Sequence, residues 1–179
     1  THELNMSAGT DKTRFFLSGQ FMDQEGIDLG SDLRRYTGRF NVDHTANKLN
    51  VTWNTLAGFS RSNLSEGEWL GNSPRNPFQM IYRAKPYENP FKADGTPNFG
   101  ANTTLALKQV GNLLEGVENS LWRQNQIKGN TGLTVAYKVI PSVTLKNTFG
   151  IDASSDQFAR FVNPGSYIGT LQSFGSGIN

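Results

Sequence analysis

The chain has 179 residues, 36% hydrophobic and 18% charged, with 17 Lys+Arg against 15 Asp+Glu and no Cys. A formal net charge of +2 leaves no nucleic-acid footprint, and the lack of Cys removes disulfides, thiol nucleophiles and thiolate metal sites. No run approaches the about 20 apolar residues of a membrane-spanning helix, and 19 Gly with a mean hydropathy of −0.49 read as a polar, glycine-rich, β-forming chain.

In chain order, the flanks carry a period of two, the signature of a strand whose side chains point alternately to opposite faces. Leu4, Met6 and Ala8 alternate with Glu3, Asn5 and Ser7. Phe15, Leu17, Gly19 and Phe21 alternate with Arg14, Phe16, Ser18 and Gln20, Phe16 being the exception. Tyr36, Gly38, Phe40, Val42 and His44 oppose Arg35, Thr37, Arg39, Asn41 and Asp43. Leu49, Val51, Trp53, Thr55, Ala57 and Phe59 oppose Lys48, Asn50, Thr52, Asn54 and Leu56, and Leu56 breaks the pattern. Ile127, Thr131, Leu133, Val135, Tyr137 and Val139 oppose Gln126, Lys128, Asn130, Thr134 and Lys138, and Val143, Leu145, Phe149 and Ile151 oppose Thr144, Lys146, Thr148 and Asp152. The reading is six strands of about nine to eleven residues or longer, which suits a tilted membrane strand and exceeds the soluble mode of about five to six.

Between them, tight turns at Gly9–Lys12, Thr45–Asn47 and Ile140–Ser142 alternate with long connections at Gln24–Leu33 and Arg61–Arg123. Short turns at one end and long loops at the other are the rhythm of an outer-membrane barrel. The expected fold is therefore all-β, an antiparallel up-and-down meander from a transmembrane β-barrel. Residues 1–60 hold the first four strands, 61–123 a long external loop, 124–162 two further strands and 163–179 the start of another loop. Five of the seven Pro fall between Pro74 and Pro97, inside that long loop. Leu107, Val110, Leu114, Val117 and Leu121 recur there at helical spacing, so a short helix is expected, opposed by Gly111 and Gly116. Six strands are fewer than the about eight of the smallest bacterial barrels. The expectation is then a piece of a larger protein. A soluble β-sandwich that binds carbohydrate through its loop aromatics is the alternative.

Candidate residues follow from the faces. Arg35, Arg39, Asn41 and Asp43 share the polar face of one strand, and Asn50, Lys128 and Lys146 lie at polar positions of others. Trp69, Tyr82, Tyr87 and Trp122 offer rings in the long segment for sugar stacking or docking. Internal packing is the expected role of most rings in a loop of that length. Asp23, Glu25, Asp28 and Asp32 lack the alternate-position spacing of a Ca²⁺ loop, and His2 and His44 form no metal motif, so no metal or cofactor is assigned. Nothing pairs a nucleophile with a base, and Gly175-Ser176-Gly177 is not a nucleophile elbow, which argues against an enzyme.

The stretch LNMSAGTDKTRFFLSGQFMDQEGIDLGSDLRRYTGRFNVDH, from Leu4 to His44, resembles the opening barrel strands of the SusC/RagA family of TonB-dependent outer-membrane transporters. NPFQMIYRAKPYENPFKADG, Asn76–Gly95, is similar to that family's loop between early barrel strands, and a third match is NLLEG, Asn112–Gly116, followed by the strand pair ending in LKNTFGID, Leu145–Asp152. Two features depart from it: Ser7-Ala8-Gly9 stands where Gly-Gly is usual, and Leu113–Arg123 is longer than the usual loop exit. The resemblance implies a barrel of about 22 strands filled by a plug domain. It also implies a SusD-like surface lipoprotein as lid, oligosaccharide or peptide substrates, and energy delivered by the TonB complex through the plug. The location implied is the outer membrane of a Gram-negative, Bacteroidetes-like cell, with membrane lipid against the apolar face. Neither a plug nor a TonB box lies within these 179 residues. On this reading the seven polar-face residues line the lumen, where they hold the plug by salt bridges or meet substrate.

Overall fold

A computed structural model describes residues 1–64, 77–99 and 110–171. Trp69 and Leu107 lie outside those residues. Six strands form one sheet in the order β1-β2-β3-β4-β5-β6, an antiparallel meander with every strand beside its chain neighbour. They are β1 (His2–Gly9), β2 (Thr13–Glu25), β3 (Asp32–Ala46), β4 (Leu49–Asn63), β5 (Ser120–Ile140) and β6 (Val143–Val162). Helices α1 (Pro77–Arg83) and α2 (Val110–Glu118) fall between β4 and β5, and α3 (Tyr167–Leu171) follows β6. The meander, the short turns and the helix in the long segment are as the alternation and helical spacing predict. The strands run further than the pattern does: β5 spans 21 residues and β6 spans 20.

Two compact units divide the chain. The first joins Thr1–Gln24, Leu33–Arg61 and Asn125–Gln157. Register is explicit between β1 and β2, where His2 faces Phe21, Leu4 faces Gly19 and Ala8 faces Phe15. The β3–β4 turn is closed by Asn47 at φ 49°, a left-handed position that Asn tolerates because its short side chain is accommodated there. Pro141 sits in the β5–β6 turn, where no ladder donor is needed. No apolar side chain of this unit is buried. Phe40 and Val135 are half-buried and Phe149 is exposed, so among the described residues no second layer encloses them. The described strands make one sheet, whereas a sandwich needs two.

The second unit joins Glu25–Asp32, Ser62–Gln124 and Phe158–Asn179. Here the described residues do have a core: Met80 of α1, Leu113 of α2 and Val162 at the end of β6 are buried, beside Asn112, Glu115 and Ser166. The strand ends in this unit are tied by polar side chains, which is why pairing outlasts the alternation. Asn63 Nδ2 donates to Asp32 Oδ2 at 2.7 Å, Arg123 Nε donates to Asn63 Oδ1 at 2.9 Å, and the Leu64 N–H donates to the Trp122 carbonyl at 2.9 Å.

Gly111 is a requirement of α2 rather than a weakness. A Cβ there would collide with the backbone of Asn98, whose own N–H donates to the Pro90 carbonyl at 2.8 Å. The loop therefore crosses α2 in its first turn, at a residue without a side chain. We expect Gly111→Ala to cost about 1–3 kcal/mol through overpacking. Faster hydrogen exchange across Val110–Glu118 in the complete protein will measure it, with Gly38→Ala, where a Cβ meets nothing, as the comparison.

Candidate functional site

The polar face of the first unit gathers all seven strand candidates. Arg35, Arg39, Asn41 and Asp43 alternate along β3. Asp43 Oδ1 accepts from Thr52 Oγ1 of β4 at 2.7 Å, which puts Asn50 on the same face. Gln126 Nε2 donates to Asp156 Oδ1 at 2.7 Å, and Thr134 and Thr148 hydroxyls meet at 3.2 Å, which adds Lys128 of β5 and Lys146 of β6. Of the seven, the fold brings Arg35 and Lys128 to a common depression of about 240 Å³, with Thr37, Leu56, Gly58, Ser60, Gln126 and Asn130 among its lining. Arg39, Asn41, Asp43, Asn50 and Lys146 share the face but not that depression. Leu56, the exception in the alternation, is one of its walls. Sequence spacing alone had no means of pairing Arg35 with Lys128, because 92 residues and the long loop separate them.

The opposite face is apolar and aromatic. Phe21 and Tyr36 rings lie 5.0 Å apart, Tyr36 and Phe59 lie 6.5 Å apart, and Phe40 meets Trp53 edge-on at 5.4 Å. Its inner polar groups are paired: Trp53 Nε1 donates to Thr131 Oγ1 at 2.9 Å, and Thr55 and Thr131 hydroxyls meet at 2.7 Å. At one end stands the ion pair Arg34–Asp23 at 3.3 Å, and at the other the Thr13 hydroxyl meets His44 Nδ1 at 2.7 Å. Along β2, the residues on this face between Thr13 and Asp23 are Phe15, Leu17, Gly19 and Phe21, none ionisable. That interval is about 33 Å of strand, or about 25 Å along the normal at a tilt of about 40°. It matches the apolar band of about 25 Å on outer-membrane barrels.

In the second unit, Glu115 joins α2, α3 and the ends of β5 and β6. Its Oε1 accepts from the Tyr167 N–H at 2.8 Å and from Asn119 Nδ2 at 3.3 Å. Asn119 in turn accepts from Asn163 Nδ2 at 3.1 Å, and Ser166 Oγ caps α3 by accepting from the Gly169 N–H at 2.9 Å. A carboxylate at the first turn of a helix is favoured by the helix dipole and satisfies an N–H that has no partner within the helix. The sequence marked Glu115 only as part of the NLLEG stretch; its burial, at 4% exposed, marks the carboxylate itself.

The aromatic candidates separate. Tyr82 and Tyr87 are 87% and 82% exposed, with Ile81 at 73% beside them, so these two rings do not pack internally. Among the described side chains of α1 only Met80 is buried, which leaves the helix's rings to solvent. Lys85 Nζ sits 5.9 Å from the Tyr87 ring centre. Trp122 is half-buried in β5 beneath the Arg160 guanidinium, at 5.9 Å. Phe99 is held between Tyr167, at 5.8 Å, and Lys92, at 4.9 Å. Nearby, the Thr96 hydroxyl and N–H both donate to Asp94 and hold its carboxyl below the usual value.

Two predictions come from the second unit. Glu115→Ala leaves the Tyr167 N–H unsatisfied and should cost about 1–3 kcal/mol, read as lost hydrogen-exchange protection across Asn163–Thr170. Burial, and then the Glu115 charge, push the Tyr167 phenol above its ordinary 10.0. A raised folded-state value leaves stability intact below pH 10.0 and erodes it as pH rises further, because the unfolded chain ionises more readily. Alkaline unfolding of this unit should therefore shift to higher pH in Tyr167→Phe.

No family model matches the chain. It is similar to a protein of Formosa agariphila described as TonB-dependent receptor P3, being 25% identical over 162 residues. Those residues cover 89% of this chain and 16% of that protein, so the chain spans about a sixth of the relative's length.

Proposed function

We propose that this chain is a wall segment of a TonB-dependent outer-membrane transporter of the SusC/RagA type. The complete protein imports glycans or peptides in a Bacteroidetes-like cell, beneath a SusD-like surface lipoprotein and with energy passed from the TonB complex through a plug. The observation that carries the reading is the pair of unlike faces on one sheet. One face holds charged and amide side chains, and the other an uncharged band of about 25 Å at membrane-strand tilt. A soluble carbohydrate-binding sandwich would bury Phe40, Val51, Leu133 and Phe149 between two sheets; here Leu133 and Phe149 are exposed, and Phe40 and Val51 are half-buried. In this reading residues 1–60 and 124–162 are wall, and residues 61–123 and 163–179 belong to the outer surface.

The role drawn for the two faces is testable by charge. Val51→Arg or Phe149→Arg in the complete protein places a cation in lipid at a cost of about 2–4 kcal/mol near the midplane. Heat-modifiable, folded barrel in outer-membrane fractions should fall sharply, while Thr52→Arg and Thr148→Arg, on the polar face, should insert normally. Equal behaviour of the two pairs would overturn the reading. For the outer surface, Tyr82 and Tyr87 supply exposed rings for stacking on sugar or docking of the lid. Tyr82→Ala with Tyr87→Ala should weaken glycan uptake or lid binding about tenfold, since a stacked ring contributes on the order of 1 kcal/mol.

A further inference from the structure

We propose that the depression floored by Gly58 on the polar face is an anion site that takes a carboxylate. Arg35 and Lys128 reach it from β3 and β5, two strands that are not neighbours, with β4 between them. No acidic side chain lines it. Among the described residues Arg35 has only the Met22 sulfur as a partner, at 3.8 Å, and Lys128 has none. On the same face Asp43 and Asp156 are already engaged by Thr52 and Gln126. Two cations facing one cavity repel each other unless an anion lies between them, and a carboxylate accepts from a guanidinium and an ammonium together. Gln126 and Ser60 add neutral donors at the rim. Gly58 makes the room: a Cβ there would find its nearest atoms, the Tyr36 carbonyl oxygen and Thr37 Oγ1, at 3.4 and 3.8 Å, so a larger residue fills the space without backbone conflict.

The assignment rests on the transporter reading only for which side of the sheet is wet. The carboxylate has two sources, an acidic sugar or peptide passing through, or an acidic side chain of the protein's own interior. The test uses the complete transporter purified from outer membranes and sodium glucuronate as probe, titrated at constant ionic strength. A substrate-borne anion predicts saturable binding, weakened about tenfold by Arg35→Gln or Lys128→Gln and by Gly58→Leu, and unchanged by Lys138→Gln, an exposed lysine of β5 outside the depression. An internal carboxylate predicts no glucuronate binding, with the melting temperature lowered by several degrees in Arg35→Glu and Lys128→Glu but not in Lys138→Glu. Wild-type-like melting in those variants together with no glucuronate binding overturns the proposal. Should the Glu variants not assemble, Arg35→Gln and Lys128→Gln are melted against Lys138→Gln instead, with the same two outcomes. Failure of the transporter reading is separate, because it shows as absence of the wild-type protein from the outer-membrane fraction.

Discussion

Strand register governs everything else in this chain. Successive side chains of a strand point to opposite faces, so a slip of one residue would carry Arg35, Arg39 and Asp43 to the side of Phe21 and Phe59. Backbone pairing alone does not distinguish these alternatives. The side chains do: Asp43 with Thr52, Trp53 with Thr131 and Gln126 with Asp156 each bridge neighbouring strands on a defined face. The tight turn at Asn47 fixes the β3–β4 offset independently. Both faces of the sheet, and the depression over Gly58, inherit their composition from these few pairings.

The second unit solves a different problem. Its strand ends carry no apolar alternation, and its helices are short. Burial of Met80, Leu113 and Val162 supplies the apolar contribution. Polar groups carry the specificity, with Glu115 bound to Tyr167 and Asn119, and Gly111 admitting the Asn98 backbone. A buried carboxylate that accepts from a helix N-terminus is stabilising only while all its donors stay in place, which makes this cluster cooperative.

Most of the sheet was legible in the sequence because its signal is local. The alternation from Arg35 to His44 is complete within ten residues, and no tertiary contact is needed to read it. Strand ends were less legible, since Asn63 and Arg123 continue the pairing through side-chain bonds rather than through hydrophobicity. Helix α2 was half legible: its Leu and Val spacing was visible, but Gly111 counted against it until the Asn98 backbone explained it. The candidate site was legible as a face and not as a site. Arg35 and Lys128 converge only through the order of strands in the sheet, and that order is a property of the whole meander. Tyr82 was visible as a ring, whereas its exposure depends on which side of α1 Met80 occupies.

The long connection between β4 and β5 has a consequence for how the sheet assembles. Every other pairing joins strands separated by a short segment, and β4 must find β5 across residues 64–119. Closing a flexible segment of that length costs about 3 kcal/mol more chain entropy than a two-residue turn. A connection that has already folded on itself, through α1, α2 and the Asn98 crossing, has surrendered part of that entropy before the strands meet. The Glu115 cluster, which ties α2 to the start of β5 through Asn119 and to the end of β6 through Asn163, then acts as a splint. The segment that interrupts the sheet in sequence thereby lowers the entropic cost of joining its two halves.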